Sequence, residues 1–102
     1  MEKLVRDFIP AIIHESGRTA NYRVASSRDE LIKFLTMKLG EESLELVQAE
    51  DHDQSLEEAG DLYEVVTTLL RVHGITIEEA KDQANKKFLK RGGFLSGYIL
   101  HT

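Results

Sequence analysis

Three motifs, each a Ser or Thr followed three residues later by Glu, predict where the helices of this chain begin. In such a motif the hydroxyl accepts a hydrogen bond from the backbone N–H of the Glu, and the Glu side chain returns a bond to the first residue. Each motif precedes a segment whose apolar residues recur at helical spacing. The three pairs are Ser27 with Glu30, Ser55 with Glu58, and Thr76 with Glu79. The chain is therefore predicted to be all-α.

The predicted helices cover residues 27–49, 55–73 and 76–90, and a shorter helix or turn limited by Pro10 is expected within 5–15. Gly17, Gly74 and Gly92 are predicted to end helices. The polar run 50–54 is expected to be a loop, and 22–25 and 94–100 to be extended. Because the connections between the helices are short, we expect antiparallel packing.

With 102 residues the chain is predicted to be a single domain spanning 1–102. A bundle of three helices whose sequence is 30% charged buries little surface, so we expect oligomerisation to complete it, as a homodimer or homotetramer. The absence of Cys excludes disulfides, thiolate metal sites and Cys nucleophiles. The sequence has neither a membrane span nor a signal peptide, so a cytoplasmic location without membrane partners is expected.

Charge is unevenly distributed along the chain. Residues 39–70 hold ten of the 18 acidic residues and contain no Lys or Arg. Residues 1–38 carry seven basic and five acidic side chains, and residues 71–102 carry six and three. An acidic centre argues against a nucleic-acid polymer as partner, because such a partner requires a basic surface. It suits a cation, with the basic ends available for an anionic ligand.

Two carboxylate pairs stand out within the acidic centre: Glu42 with Glu45, and Glu58 with Asp61. Each pair has i,i+3 spacing and so shares one face of a helix. Winding the helices at about 100° per residue places Glu42, Glu45 and Glu58 on apolar, inward faces and Asp61 at the margin. Unpaired buried carboxylates cost several kcal/mol each, and a divalent cation would supply the missing charge. The alternative is that the two carboxylate pairs belong to a solvated acidic face. The same winding places Glu57 and Glu64 on such a face.

The segments 38–45 (KLGEESLE) and 58–61 (EAGD) resemble the EExxE and ExxD motifs of the all-α nucleoside triphosphate pyrophosphatases. That superfamily includes MazG-like proteins and phosphoribosyl-ATP pyrophosphohydrolase. The opening KLVRD at 3–7 and the segments 85–87 and 91–94 are similar to the ends of the latter branch. Phe8 departs from it, since Lys is usual there, and Gly40 precedes EExxE within the helix.

This resemblance implies an all-α helical bundle that hydrolyses a nucleoside triphosphate, or a related nucleotide, to the monophosphate and pyrophosphate. It implies Mg²⁺, with Mn²⁺ as the alternative, held by Glu42, Glu45, Glu58 and Asp61. Glu41 and Glu42 are the predicted catalytic residues, with Glu41 orienting water or lying outside the metal ligands. The predicted contacts to the nucleotide substrate are Lys3, Arg6, Lys38, Asn85, Lys87 and Arg91.

Simpler roles exist for several of these residues. Lys38 can pair with Glu42 on the same helix, Arg6 can pair with Asp7, and Lys87 and Arg91 can stabilise a helix C-terminus. The competing functions are phosphoribosyl-ATP pyrophosphohydrolase and a non-catalytic helical module for oligomerisation or binding. A carboxylate-bridged di-iron bundle is disfavoured, because no His stands three residues after Glu42, Glu45 or Glu58.

Overall fold

Residues 1–101, the part of the chain that this computed structural model describes, contain four α-helices and no strand. The helices are α1 (Ile9–Glu15), α2 (Arg28–Gln48), α3 (His52–Val72) and α4 (Ile77–Arg91). The predicted all-α class is confirmed. Within residues 1–101, no helix is both long enough and apolar enough to cross a membrane.

Local hydrogen bonds explain where α2 and α4 begin. The Ser27 hydroxyl accepts from the backbone N–H of Glu30 at 3.1 Å, but the Glu30 carboxylate accepts from the N–H of Ser26, one residue earlier than predicted. At α4 both bonds of the motif form: Thr76 Oγ1 accepts from the Glu79 N–H at 3.1 Å, and Glu79 accepts from the Thr76 N–H at 2.9 Å. These two motifs set helix starts as the sequence predicted.

The predicted start of α3 at Ser55 is wrong, because the helix begins one turn earlier, at His52. Asp51 caps it: its carboxylate accepts a hydrogen bond from the Gln54 N–H at 2.8 Å. The Ser55 hydroxyl instead donates to the backbone carbonyl of Asp51 at 2.8 Å. Asp is as good an N-cap as Ser. Because Asp51 caps the helix, residues 52–54 are helical and do not form the predicted loop.

α2 and α3 form an antiparallel hairpin that contains all the buried residues of 1–101. Leu35 and Val65 are its buried apolar side chains. Arg28, at the start of α2, donates to the Val72 carbonyl at the end of α3 at 3.2 Å. This contact fixes the antiparallel arrangement and places positive charge at the C-terminal end of α3, where the helix dipole favours it.

The apolar pattern of α3 is only partly realised. Thr67 is buried although its side chain is polar. Its hydroxyl donates a hydrogen bond to the Glu64 carbonyl at 3.1 Å. Val66, predicted on the apolar face, is 39% exposed. The exposure of Val66 follows from the thinness of the hairpin, because a single neighbouring helix covers a narrower arc of α3 than a full bundle would.

α4 is well formed but has no buried residue. Phe88 and Leu89 are largely exposed, as are the apolar residues that follow the helix. The predicted extended tail is wrong at its start, because residues 94–97 form a turn in which the Gly97 N–H donates to the Phe94 carbonyl at 3.0 Å. The molecule is correspondingly elongated, measuring 53 × 34 × 28 Å.

The segment before α2 folds back along the hairpin. Pro10 occupies the first turn of α1, where its missing N–H costs nothing, and Gly17 follows the helix with φ of 86°. Residues 22–25 lie between the helices without joining a strand. The Arg23 guanidinium holds this segment in place by pairing with Glu2 and with Glu30, each at 2.7 Å.

Candidate metal centre

Three of the four predicted metal-binding carboxylates converge between α2 and α3. Glu42 comes from α2, while Glu58 and Asp61 project from successive turns of α3. One carboxylate oxygen from each lies within 4.8 Å of the others. The i,i+3 spacing and the antiparallel hairpin together produce this convergence.

The burial of Glu42 distinguishes the cluster from a solvated acidic surface. Glu42 is only 8% exposed. The Oε2 atoms of Glu42 and Glu58 are buried and find no hydrogen-bond partner within residues 1–101. The nearest positive charge to Glu42 is the Lys38 amine, 3.6 Å from its Oε1 atom. Buried charged oxygens without partners are costly, and an all-oxygen donor set fits a hard divalent cation.

The electrostatics of the cluster favour protons when no cation is bound. Burial raises the pKa of Glu42, and the neighbouring Glu45 carboxylate raises it further. The pKa of Glu45 is also raised, chiefly because its protonated form can donate a hydrogen bond to Glu58. Like charges that share a site disfavour ionisation in this way.

Glu45 lies at the edge of the cluster rather than inside it. The helical wheel placed it on an inward face, but its side chain is exposed. Its carboxyl is nevertheless close enough to Glu42 and Glu58 for both to affect its pKa. Its role as a fourth ligand stays a prediction.

Glu41, the other predicted catalytic residue, is not among the three converging carboxylates. It is exposed, and its Oε2 atom lies 3.9 Å from the Lys38 amine. Lys38 thus stands between the two adjacent glutamates of EExxE. Glu57 and Glu64 are exposed, as predicted for surface charge.

A cleft of about 900 Å³ opens beside the carboxylates, between the N-terminal segment and the α2–α3 hairpin. Lys3, Arg6 and Lys38 line it, as do Glu42 and Asp61. Its apolar wall consists of Leu4, Val5, Phe8, Ile9, Ile12, Leu31, Leu35 and Val65. Basic, acidic and apolar surfaces in one cleft can accommodate the phosphates, the metal and the base of a nucleotide.

Arg6 contacts the cluster directly, which the sequence did not predict. Its Nη2 atom donates to the Asp61 Oδ1 atom at 2.8 Å. The expected simpler pair of Arg6 with Asp7 is therefore wrong. The partner lies 55 residues away, so only the folded arrangement of the N-terminal segment reveals it.

The remaining predicted substrate contacts lie elsewhere. Asn85, Lys87 and Arg91 are all on α4, all exposed, and none lines the cleft. Their contact with a ligand stays a prediction. Arg71 lines the cleft but was not predicted; its signal in the sequence is that it is the first basic residue after the acidic centre.

A family model and a related protein match parts of this chain. The family model described as phosphoribosyl-ATP pyrophosphohydrolase matches residues 5–88, which include both pairs. An uncharacterized protein of Mycolicibacterium smegmatis is 47% identical over 57 residues. That alignment covers 56% of this chain and 57% of the relative. No solved structure matches the chain.

Proposed function

This chain belongs to the phosphoribosyl-ATP pyrophosphohydrolase family, and from that premise we propose that it catalyses Mg²⁺-dependent hydrolysis of a nucleotide. The products are the nucleoside monophosphate and pyrophosphate. The observation that carries this proposal is the convergence of Glu42, Glu58 and Asp61 within 4.8 Å beside a cleft with basic and apolar walls.

The residues present suit the cation that this reaction uses. Glu42, Glu58 and Asp61 would hold it, and the partnerless Oε2 atoms of Glu42 and Glu58 give a physical reason for it to bind. Glu45 is positioned to join them from the edge. When bound, Mg²⁺ supplies positive charge that stabilises the negative charge on the phosphate oxygens in the transition state. Mn²⁺ is the alternative cation.

Basic residues of the cleft would orient the phosphate chain. Lys38 lies 3.6 Å from Glu42 and therefore sits at the border between the carboxylates and the open cleft. Lys3 and Arg6 approach from the N-terminal segment on the other side. Phosphates held between these groups would lie next to the carboxylate cluster, as transfer to water requires.

In the proposed reaction, water attacks the α-phosphorus and the P–O bond to the bridging oxygen breaks, so that pyrophosphate leaves. The attacking water gives up a proton to the surrounding solvent in this step. We assign the orientation of that water to Glu41, as the sequence suggested, since it neighbours Glu42 without belonging to the converging three. The Lys38 amine lies 3.9 Å from the Glu41 Oε2 atom and would help to hold that carboxylate in place.

Two substrates fit the proposal equally. A nucleoside triphosphate would make the protein a nucleotide-pool enzyme of the MazG-like kind, acting in the cytoplasm. Phosphoribosyl-ATP, the substrate in the name of the matched family, would place it in histidine biosynthesis. Phe8 lines the cleft and stands where the resembled branch usually has Lys, so one candidate phosphate contact is missing.

Oligomerisation is a separate part of the proposal. α4 exposes Phe88 and Leu89, and the second half of α4 carries basic residues at 86, 87, 90 and 91, whereas the centre of the chain is acidic. Charge complementarity therefore favours α4 of one copy packing against the acidic hairpin of a second copy. In a homodimer or homotetramer of this kind, Asn85, Lys87 and Arg91 would approach the partner's cleft.

Pyrophosphate release tests the enzymatic proposal. Wild-type protein is incubated with a panel of nucleoside triphosphates and with phosphoribosyl-ATP, each with and without Mg²⁺. Glu42→Gln is the test variant, and Glu57→Gln on the exposed side of α3 is the matched control. We expect Mg²⁺-dependent release by wild type and Glu57→Gln, and a loss of about 100-fold or more in Glu42→Gln.

Each outcome selects one function. Release from phosphoribosyl-ATP alone establishes the histidine-pathway enzyme, and release from triphosphates establishes the house-cleaning enzyme. If no substrate in the panel yields pyrophosphate with Mg²⁺, the non-catalytic helical module replaces both. Full activity in Glu42→Gln would refute the metal assignment even if the protein is an enzyme.

A further inference from the structure

The Arg6–Asp61 pair suggests a role for Arg6 beyond contact with substrate. Asp61 is one of the three converging carboxylates, and the Arg6 guanidinium occupies its Oδ1 atom at 2.8 Å. Glu42 and Glu58 each retain a buried, partnerless oxygen. Positive charge thus satisfies Asp61, while the buried oxygens of Glu42 and Glu58 have no partner.

We infer that Arg6 is an exchangeable counter-ion: it pairs with Asp61 in the metal-free protein and leaves when a divalent cation binds. This inference rests on the proposed metal site. A cation held by the three converging oxygens would lie within a few ångströms of the guanidinium, and two positive charges at that separation repel. The cation would also neutralise the Asp61 carboxylate directly. The attraction between Arg6 and Asp61 would then weaken while Arg6 is repelled by the cation.

The pair has the properties that exchange requires. Its side chains are 59% exposed at Arg6 and 37% exposed at Asp61, and ion pairs of such exposure are weak and screened by water. Arg6 precedes α1, so its movement breaks no helix. The N-terminal segment is separately anchored through Glu2 and Arg23 at 2.7 Å. The Arg6 side chain can therefore move while the segment stays in place.

The geometry also indicates where the guanidinium goes. Lys3 and Lys38 line the same cleft as Arg6. Once released from Asp61, Arg6 would join these two amines as a third cation facing the space for phosphates. Cation binding would thereby release Arg6 from Asp61 and make it available to the anionic substrate, which favours metal binding before phosphate binding.

Mn²⁺ affinity, measured from the loss of the free-ion electron paramagnetic resonance signal, provides the first test. The proteins compared are wild type, Arg6→Gln and the control Arg71→Gln. The control removes the same charge from the same cleft, but Arg71 forms no ion pair within residues 1–101. Removing a competitor should tighten Mn²⁺ binding by up to about fivefold in Arg6→Gln. A general charge effect should tighten it equally in both variants.

A second readout follows the Arg6 side chain itself. Its Nε–Hε NMR signal, assigned by its absence in Arg6→Gln, is recorded while the diamagnetic ion Mg²⁺ is added to wild type. We expect the signal to move and to saturate together with Mg²⁺ binding. Inorganic pyrophosphate should then bind the Mg²⁺-loaded Arg6→Gln protein more weakly than the Mg²⁺-loaded control.

The possible failures are distinguishable. If wild type binds no Mn²⁺ at millimolar concentration, the proposed function fails and the exchange fails with it. If wild type binds Mn²⁺ but Arg6→Gln binds it no more tightly than Arg71→Gln, only the exchange is refuted. A stationary Arg6 signal at Mg²⁺ saturation, or unchanged pyrophosphate affinity in Arg6→Gln, would refute it as well.

Discussion

The α2–α3 hairpin and α4 are both regular helices, yet they differ in what holds them. The hairpin contains every buried residue of 1–101, including Leu35 and Glu42, whereas α4 has none. α4 depends on a complete capping box at Thr76 and on its own sequence. In the hairpin, the apolar core and the carboxylate cluster occupy one interface. Stability and metal binding should therefore be coupled in the hairpin and independent of α4 in a single chain.

Core truncation should give the largest difference between the two regions. Leu35 is 3% exposed and Leu89 is 75% exposed. Leu35→Ala removes packed methyl groups and should lower the free energy of unfolding by about 2–4 kcal/mol. Leu89→Ala should change it by less than about 0.5 kcal/mol. Urea unfolding at low protein concentration measures both. A large loss in Leu89→Ala at low protein concentration would break the comparison, whereas a loss that appears only as protein concentration rises would support the proposed packing of α4 in an oligomer.

Cation addition should stabilise the hairpin nearly as strongly. A ligand that binds only the folded state adds about 2.7 kcal/mol at a concentration 100 times its Kd. Mg²⁺ should therefore raise the Tm of wild type, which differential scanning calorimetry can follow. Glu42→Gln should lose most of this rise, while Glu78→Gln in α4 should retain it. Equal shifts in both variants would indicate nonspecific ion binding.

The carboxylate cluster should also make the metal-free protein sensitive to pH. The pKa values of Glu42 and Glu45 are raised above 4.5 in the folded protein, by burial at Glu42 and chiefly by Glu58 at Glu45. The stability that their protonation contributes is present below pH 4.5 and is lost as pH rises through the folded pKa values. At pH 8, Glu42→Gln should be more stable than wild type by about 1.5 kcal/mol.

Urea unfolding between pH 4.5 and pH 8 in the presence of a chelator tests this expectation. The advantage of Glu42→Gln should shrink towards pH 4.5, because wild-type Glu42 becomes neutral there. Glu57→Gln should show no such trend. A constant difference across the range would mean that Glu42 is not an unfavourably buried charge.

The smallest effect concerns the cap of α4. Thr76→Ala removes the hydroxyl that accepts the Glu79 N–H at 3.1 Å, and N-cap losses cost about 1 kcal/mol. Hydrogen exchange should accelerate in the first turn of α4 and remain unchanged at the centres of α2 and α3. Acceleration throughout the hairpin would show that α4 supports it, contrary to the comparison.

The sequence predicted helices best where local chemistry decides them. The caps at Ser27 and Thr76 depend on contacts within four residues, and both helix starts were correct. At Ser55 the prediction failed because Asp51 offered an equally good cap one turn earlier. Capping preferences alone do not rank two adjacent candidates.

The candidate site likewise contains some features that the sequence predicted and others that it did not. Helical spacing predicted that Glu42, Glu58 and Asp61 would share an interface, because periodicity and hairpin geometry suffice for that. Glu45 came out exposed, since two helices cover less of each other than the wheel assumed. The Arg6–Asp61 contact was beyond local reasoning, because it joins residues 55 apart through the path of the N-terminal segment.

An anomalous difference map from crystals grown with Mn²⁺ tests most directly whether the buried carboxylates form a divalent-cation site. We predict a strong peak bounded by the carboxylates of Glu42, Glu58 and Asp61, with Arg6 displaced from Asp61, and no peak there in Glu42→Gln. A wild-type map without density among these carboxylates at saturating Mn²⁺, and with Arg6 still paired to Asp61, would contradict it.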